Sequence, residues 1–165
     1  MDKKVISITL WGNGTEKGKW IEWYEDIKEV MNSLGYKNTH IGIDSKSYTS
    51  GKVLTVARKE KEILARIRDG EIPSSLSCYS LPKGYRQAAL EYELYCDRGE
   101  KDISVIMNET DYTPENEQMI ISVLKKYIDS EYGAIYSALR SDAPWLYVGN
   151  RNLKGLKSYE LIKKI

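Results

Sequence analysis

The sequence predicts an α+β fold: a mixed, mostly antiparallel sheet with helices packed on one face. Three features carry that expectation. Residues 4–11 and 103–108 are apolar-rich segments of strand length. Residues 20–34, 53–69 and 113–132 space their apolar side chains mostly by three and four, as amphipathic helices do. Residues 97–102 form a turn with Gly99 between two strand-like runs, which reads as a hairpin and therefore as antiparallel pairing. The chain of 165 residues has no Pro/Gly/Ser-rich linker, so residues 1–165 read as one domain.

The elements follow in order. In residues 4–11, Lys4, Ile6, Ile8 and Leu10 alternate with Val5, Ser7, Thr9 and Trp11, giving a strand with one strongly apolar side. Gly12, Gly14 and Gly18 break that pattern. Trp20, Trp23, Tyr24, Ile27, Val30, Met31 and Leu34 then mark an amphipathic helix stopped by Gly35 as a left-handed cap. A short strand spans residues 39–43 and a polar turn residues 44–52. Val53, Val56, Ala57, Ile63, Leu64 and Ile67 stripe a second helix, residues 53–69, ended by Gly70. Residues 76–81, 89–96 and 103–108 read as three strands. Thr113 and Pro114 open the last long helix as N-cap and first helical residue, with its end near Tyr132 and Gly133. Residues 134–139 suit strand or helix alike. Residues 145–148 read as a strand after Pro144, residues 149–150 as a turn, and residues 158–165 as a short helix or loose tail.

Composition narrows the chemistry. Apolar residues make up 41% and charged residues 30%, a soluble globular balance, and no apolar run approaches the ~20 residues of a membrane span. The amino terminus lacks a signal-peptide core, so a cytoplasmic location is expected, with no membrane partner. The net charge of +1 does not favour nucleic acid as a partner. One His and two Cys are one ligand short of a tetrahedral zinc site, and only His40 could serve a Ser-His-Asp or Cys-His arrangement. His40 reads as a partly buried structural residue, and Cys78 and Cys96 as free thiols on neighbouring strands. Trp20, Trp23 and Tyr24 read as core. No set of side chains marks a reaction, no cofactor is called for, and the expectation is a protein that is not an enzyme.

One loop leaves an alternative open. Residues 12–19, Gly-Asn-Gly-Thr-Glu-Lys-Gly-Lys, sit between a strand and a helix, where phosphate-cradling loops sit. Trp20 follows Lys19 where a P-loop needs Ser or Thr, and Lys17 stands where a dinucleotide fingerprint needs its third Gly. An ordinary strand-to-helix turn is the plainer reading. A small enzyme or nucleotide-binding protein using this loop is the alternative function.

Charge is unevenly distributed. Residues 91–117 carry nine acids against two bases, residues 46–68 seven bases against two acids, and residues 151–165 five bases against one acid. If Glu91, Glu93, Asp97, Glu100, Asp102, Glu109 and Asp111 meet in space, they form an acidic surface that steers a basic partner. Internal pairing with the basic segments is the competing arrangement.

Several segments bear a family likeness: Leu10-Trp11-Gly12 before a Trp-bearing helix, Ser75-Leu76-Ser77, Tyr132-Gly133-Ala134-Ile135-Tyr136-Ser137 and Pro144-Trp145-Leu146-Tyr147. In these the chain resembles the bacterial polymorphic-toxin immunity proteins, most of all the immunity protein 52 family. The resemblance implies a cytosolic antidote that binds a cognate toxin domain and occludes its active site. Where that toxin is a nuclease, an acidic surface would complement its basic groove.

Overall fold

The computed structural model of the chain describes residues 2–14, 19–49, 51–148 and 153–165. Among them eight strands form one sheet: β1 (Lys4–Gly14), β2 (His40–Asp44), β3 (Lys52–Thr55), β4 (Ser75–Ser80), β5 (Leu94–Arg98), β6 (Asp102–Asn108), β7 (Ile128–Leu139) and β8 (Glu160–Lys164). The strand order is β3-β2-β4-β5-β6-β1-β7-β8, and every pairing is antiparallel, so the parallel component expected of a mixed sheet does not occur. The fold is α+β. No helix among the described residues is long and apolar enough to cross a membrane.

Alternation along β1 sorts the two faces. Ile6, Ile8 and Leu10 join the main core beneath three helices: α1 (Trp20–Ser33), α2 (Val56–Arg68) and the last long helix (Pro114–Leu124). Trp23, Tyr24, Ile27, Met31, Ile63, Ile120 and Leu124 supply the helical half of that core and are all but fully buried. α1 ends as its sequence foretells: Gly35 takes φ +88°, and Tyr36 N and Gly35 N donate to Met31 O and Asn32 O. Gly70 repeats that two-bond ending after α2. Thr113 caps the last long helix by accepting from Asn116 N at 3.1 Å. Arg98, nearly buried on this face, stacks on Trp20 at 4.1 Å and reaches Lys19 O at 3.3 Å.

The opposite face carries Val5, Ser7, Thr9 and Trp11 of β1, all of them buried. Its cover is two single-turn helices, α3 (Ala88–Glu91) and α5 (Trp145–Val148); the long helix at Pro114–Leu124 is α4. Trp145 Nε1 donates to Ala89 O at 3.0 Å and ties α5 to α3. Trp145 packs into the Tyr92/Tyr95 cluster and Val148 against Trp11 and Tyr136.

Five expectations are corrected. α2 begins at Val56, because the β-branched Val53 and Thr55 fill the open edge of β2 as β3. Of the run at residues 89–96, only residues 94–96 are strand, the start of β5; the first part is the helical turn α3. The Glu91 carboxylate accepts Arg86 N and Gln87 N, which holds the chain in that turn. α4 stops at Leu124, since pairing of β7 along the whole of β1 outweighs a helical pattern that runs on to Ile128. Residues 145–148 are a helix, because a three-residue spacing puts both Trp145 and Val148 onto the sheet. The carboxyl-terminal segment is strand β8, bonded to β7 with Ile165 N and O closing on Gly133. The turn expected at residues 149–150 lies outside the described residues.

Candidate functional site: an acidic trough on the sheet's second face

The middle of the second face is built by the strand register. Gly42, Ser77, Asp97, Ser104 and Thr9 stand side by side across β2, β4, β5, β6 and β1. Four are small or short, and Asp97 is the one charged residue among them. The next row along is large: His40, Tyr79, Tyr95 and Ile106. A row of short side chains beside a row of rings leaves a trough. Tyr79 and Tyr95 pack 4.9 Å apart between centroids, Tyr95 meets Trp145 at 6.5 Å, and these rings form one wall. Glu100, Lys101 and Asp102, from the β5–β6 turn, line the other side. The open concavity has a volume of about 780 Å³, within the ordinary range of ligand clefts.

Asp97 sits on the trough floor, partly exposed upward and walled in on its flanks. Ser77 Oγ donates to its Oδ1 at 2.5 Å. Burial pushes its carboxyl from an ordinary 3.8 up to about 7; the Ser77 bond pulls against that, and the charge of Asp102 adds to it. Ser104, 1% exposed, stands beside Asp97 in the trough floor. The trough therefore offers acceptors, a half-ionised acid at neutral pH and ring faces.

The seven acids singled out from the sequence divide into two groups. Asp97, Glu100 and Asp102 come together at the trough. Glu93 lies at the far end of β5, gripped by Lys3 Nζ at 3.0 Å and by Asn108 Nδ2 at 2.8 Å. Burial works to raise the Glu93 pKa, but Asn108 and Lys3 outweigh it and hold it below the ordinary range. Glu91 closes the α3 turn and does not share a strand face with Glu93 as expected; the bonds from Gln87 N and Arg86 N lower its pKa. Glu109 meets Lys4 at 3.5 Å, and Asp111 accepts from Tyr36 Oη at 2.5 Å.

Other sequence candidates resolve structurally. His40 bridges Thr39 Oγ1 at 2.8 Å and Tyr85 Oη at 3.1 Å, with its pKa lowered by burial. Cys78 and Cys96 face each other in register, both unbonded, and burial raises both thiols far above neutrality. Gly12 and Gly14 belong to β1 and not to a loop. A Cβ on Gly12 would stand 1.9 Å from Asp129 O, and one on Gly14 3.1 Å from Glu100 O, so both are glycines of close approach. Residues 15–18 of the former loop lie outside the described residues. Among the described residues no group of three or more His, Cys, Asp or Glu is placed to hold a metal ion.

Sequence reasoning missed Ser77, Ser104, Tyr79, Tyr95 and Trp145. The signal was present at Ser104, a lone hydroxyl amid Ile103, Val105, Ile106 and Met107. A polar residue within an apolar strand needs a reason, since the alternative is a buried group without a partner. No protein-family model, no curated protein and no solved structure matches the chain.

Proposed function

We propose that this chain is an antidote of the immunity type. It binds a toxin domain and occludes a basic part of that domain by laying it in the acidic trough of the second sheet face. The observation that carries this reading is the trough itself: three acids at a ring-walled concavity on the second sheet face, beside α3 and α5. A concavity lined by acids and rings, on the face away from the three long helices, fits a surface kept for a partner. Two of the four segments on which the family likeness rests line this same place, and a third packs at its edge. Trp11 lies under Val148, Ser75 and Ser77 line the trough, and Trp145 and Leu146 stand on its wall. Acids at the rim speed encounter with a basic protein, and the rings supply the packing that holds it.

The test is co-expression with the product of the reading frame beside the one encoding this chain. That product should arrest growth, and this chain should restore it. Asp97→Asn combined with Asp102→Asn should weaken the rescue, whereas Glu109→Gln, at the far end of β6, should leave it intact. A neighbouring product that is harmless, or a toxicity that this chain does not relieve, overturns the reading.

A further inference from the structure

We propose that the outer edge of β3 receives an extended strand of the bound protein, which lengthens the sheet by one strand. This rests on the antidote reading and specifies how the partner is held. The first observation is what the edge offers. β3 ends the sheet, paired with β2 on one side and with no described strand on the other. Val56 N donates to Thr39 O at 3.0 Å, one step beyond the pairing of Thr55 with His40. Antiparallel ladders alternate, so Leu54 and Lys52 also turn their N–H and C=O groups to β2. Val53 therefore turns its N–H and C=O outward, with the N–H of Thr55 beside them. A donor and an acceptor on one residue of an edge strand are what a second extended chain pairs with.

The second is the contrast between the two edges. β8 closes the far end of the sheet and is blunted. Its register against β7 slips between Ile135 and Tyr136, a bulge that twists the edge, and it carries Lys163 and Lys164. β3 keeps step with β2 over all four of its residues and shows no bulge. Val53, near its middle, is 38% exposed. An unbroken edge bearing an exposed β-branched side chain lacks the devices that keep other strands away.

The third is charge, which selects a different protein over a second copy of this chain. Residues 46–68, which contain β3, carry seven bases against two acids. Both acids are already engaged, Glu60 by Lys28 Nζ and Tyr24 Oη, Glu62 by Lys59 Nζ and Tyr48 Oη. Two copies paired through β3 would bring these basic segments together, and like charges oppose that. Lys52 pairs with Ile43 and so lies on the helix side of the sheet, whereas Val53 lines the trough. The incoming strand therefore carries an acid where it passes Lys52 and an apolar side chain beside Val53. Alternation keeps that acid on the opposite face from the acids of the trough.

The experiment is a two-dimensional NMR titration of the labelled full chain with the acetylated and amidated peptide Thr-Val-Glu-Val-Glu-Val-Thr. Two controls run in parallel: the same peptide N-methylated at alternate residues, which cannot pair as a strand, and Thr-Val-Lys-Val-Lys-Val-Thr. The acidic peptide should shift the amides of residues 51–55, slow the hydrogen exchange of Val53 and saturate at millimolar concentration. The lysine peptide should bind about tenfold more weakly, and the N-methylated one should leave the spectrum unchanged. Val53→Pro removes an outward N–H and no bond to β2, so a chain with a dispersed native spectrum should lose the peptide. Edge pairing is overturned if residues 51–55 stay silent, if the N-methylated or the lysine peptide binds as well as the acidic one, or if the shifts centre on β8. It is also overturned if the free chain sediments as a dimer that Val53→Pro dissociates, since a second copy then holds the edge. The two readings fail separately. Growth rescue that survives a folded Val53→Pro removes the added strand and keeps the antidote; peptide pairing on β3 without any rescue keeps the edge and removes the antidote.

Discussion

Replacing Asp97 by Asn should make the fold less sensitive to pH and more stable in alkali. Asp97 ionises at about 7 in the folded chain against an ordinary 3.8. Between those values the folded chain holds a proton that the unfolded chain releases. Stability therefore falls as pH rises through the window, and the whole penalty is present above about pH 7. At 1.36 kcal/mol per pKa unit the ceiling is about 4 kcal/mol, of which about 3 kcal/mol accrues between pH 5 and pH 8. Water reaching the trough screens part of this, leaving about 2 kcal/mol across that interval. The amide of Asn still accepts from Ser77 and never ionises. Urea unfolding, followed by fluorescence of the buried Trp11 and Trp23, gives the stability of both chains at pH 5 and pH 8. The variant should gain about 2 kcal/mol over the wild-type chain on passing from the lower pH to the higher. A change below about 0.5 kcal/mol would refute the claim that Asp97 is held in a costly site. An acid that weakens its own fold, yet opens onto a trough, is what a binding surface would retain.

Two further substitutions test how the sheet frames the trough. Gly12→Ala drives a Cβ into Asp129 O and should cost about 3 kcal/mol or more, read as a lowered urea midpoint, whereas a loop glycine would tolerate it. Thr113→Ala removes the cap on Asn116 N and should cost about 1 kcal/mol by the same measurement without affecting the trough.

The elements legible in the sequence are those fixed by local chemistry. The α1 stripe with its Gly35 ending, the Thr113-Pro114 opening of α4, and the β5–β6 hairpin each depend on residues within a few positions of one another. The misread elements depend on distant partners. β3 exists because β2 has an open edge, β8 because β7 has one, and the length of β7 is set by β1 more than a hundred residues away. Residues 145–148 have strand-like composition, yet become a helical turn because Tyr95 and Trp11 wait beneath them. The acidic surface was half legible for the same reason. Composition shows that the acids cluster in sequence, but an extended strand moves about 3.3 Å per residue. Four residues therefore carry Glu93 about 13 Å from Asp97, toward Lys3 and away from the trough. The hydroxyls that complete the site come from β4 and β6, and only the register places them beside Asp97.

The proposed function has this chain grip a basic partner in the trough. Growth rescue against the neighbouring gene product, compared between the wild-type chain and Asp97→Asn/Asp102→Asn, measures it most directly. The account predicts full rescue by the wild-type chain and weakened rescue by a folded double variant. Equal rescue by the two would contradict it.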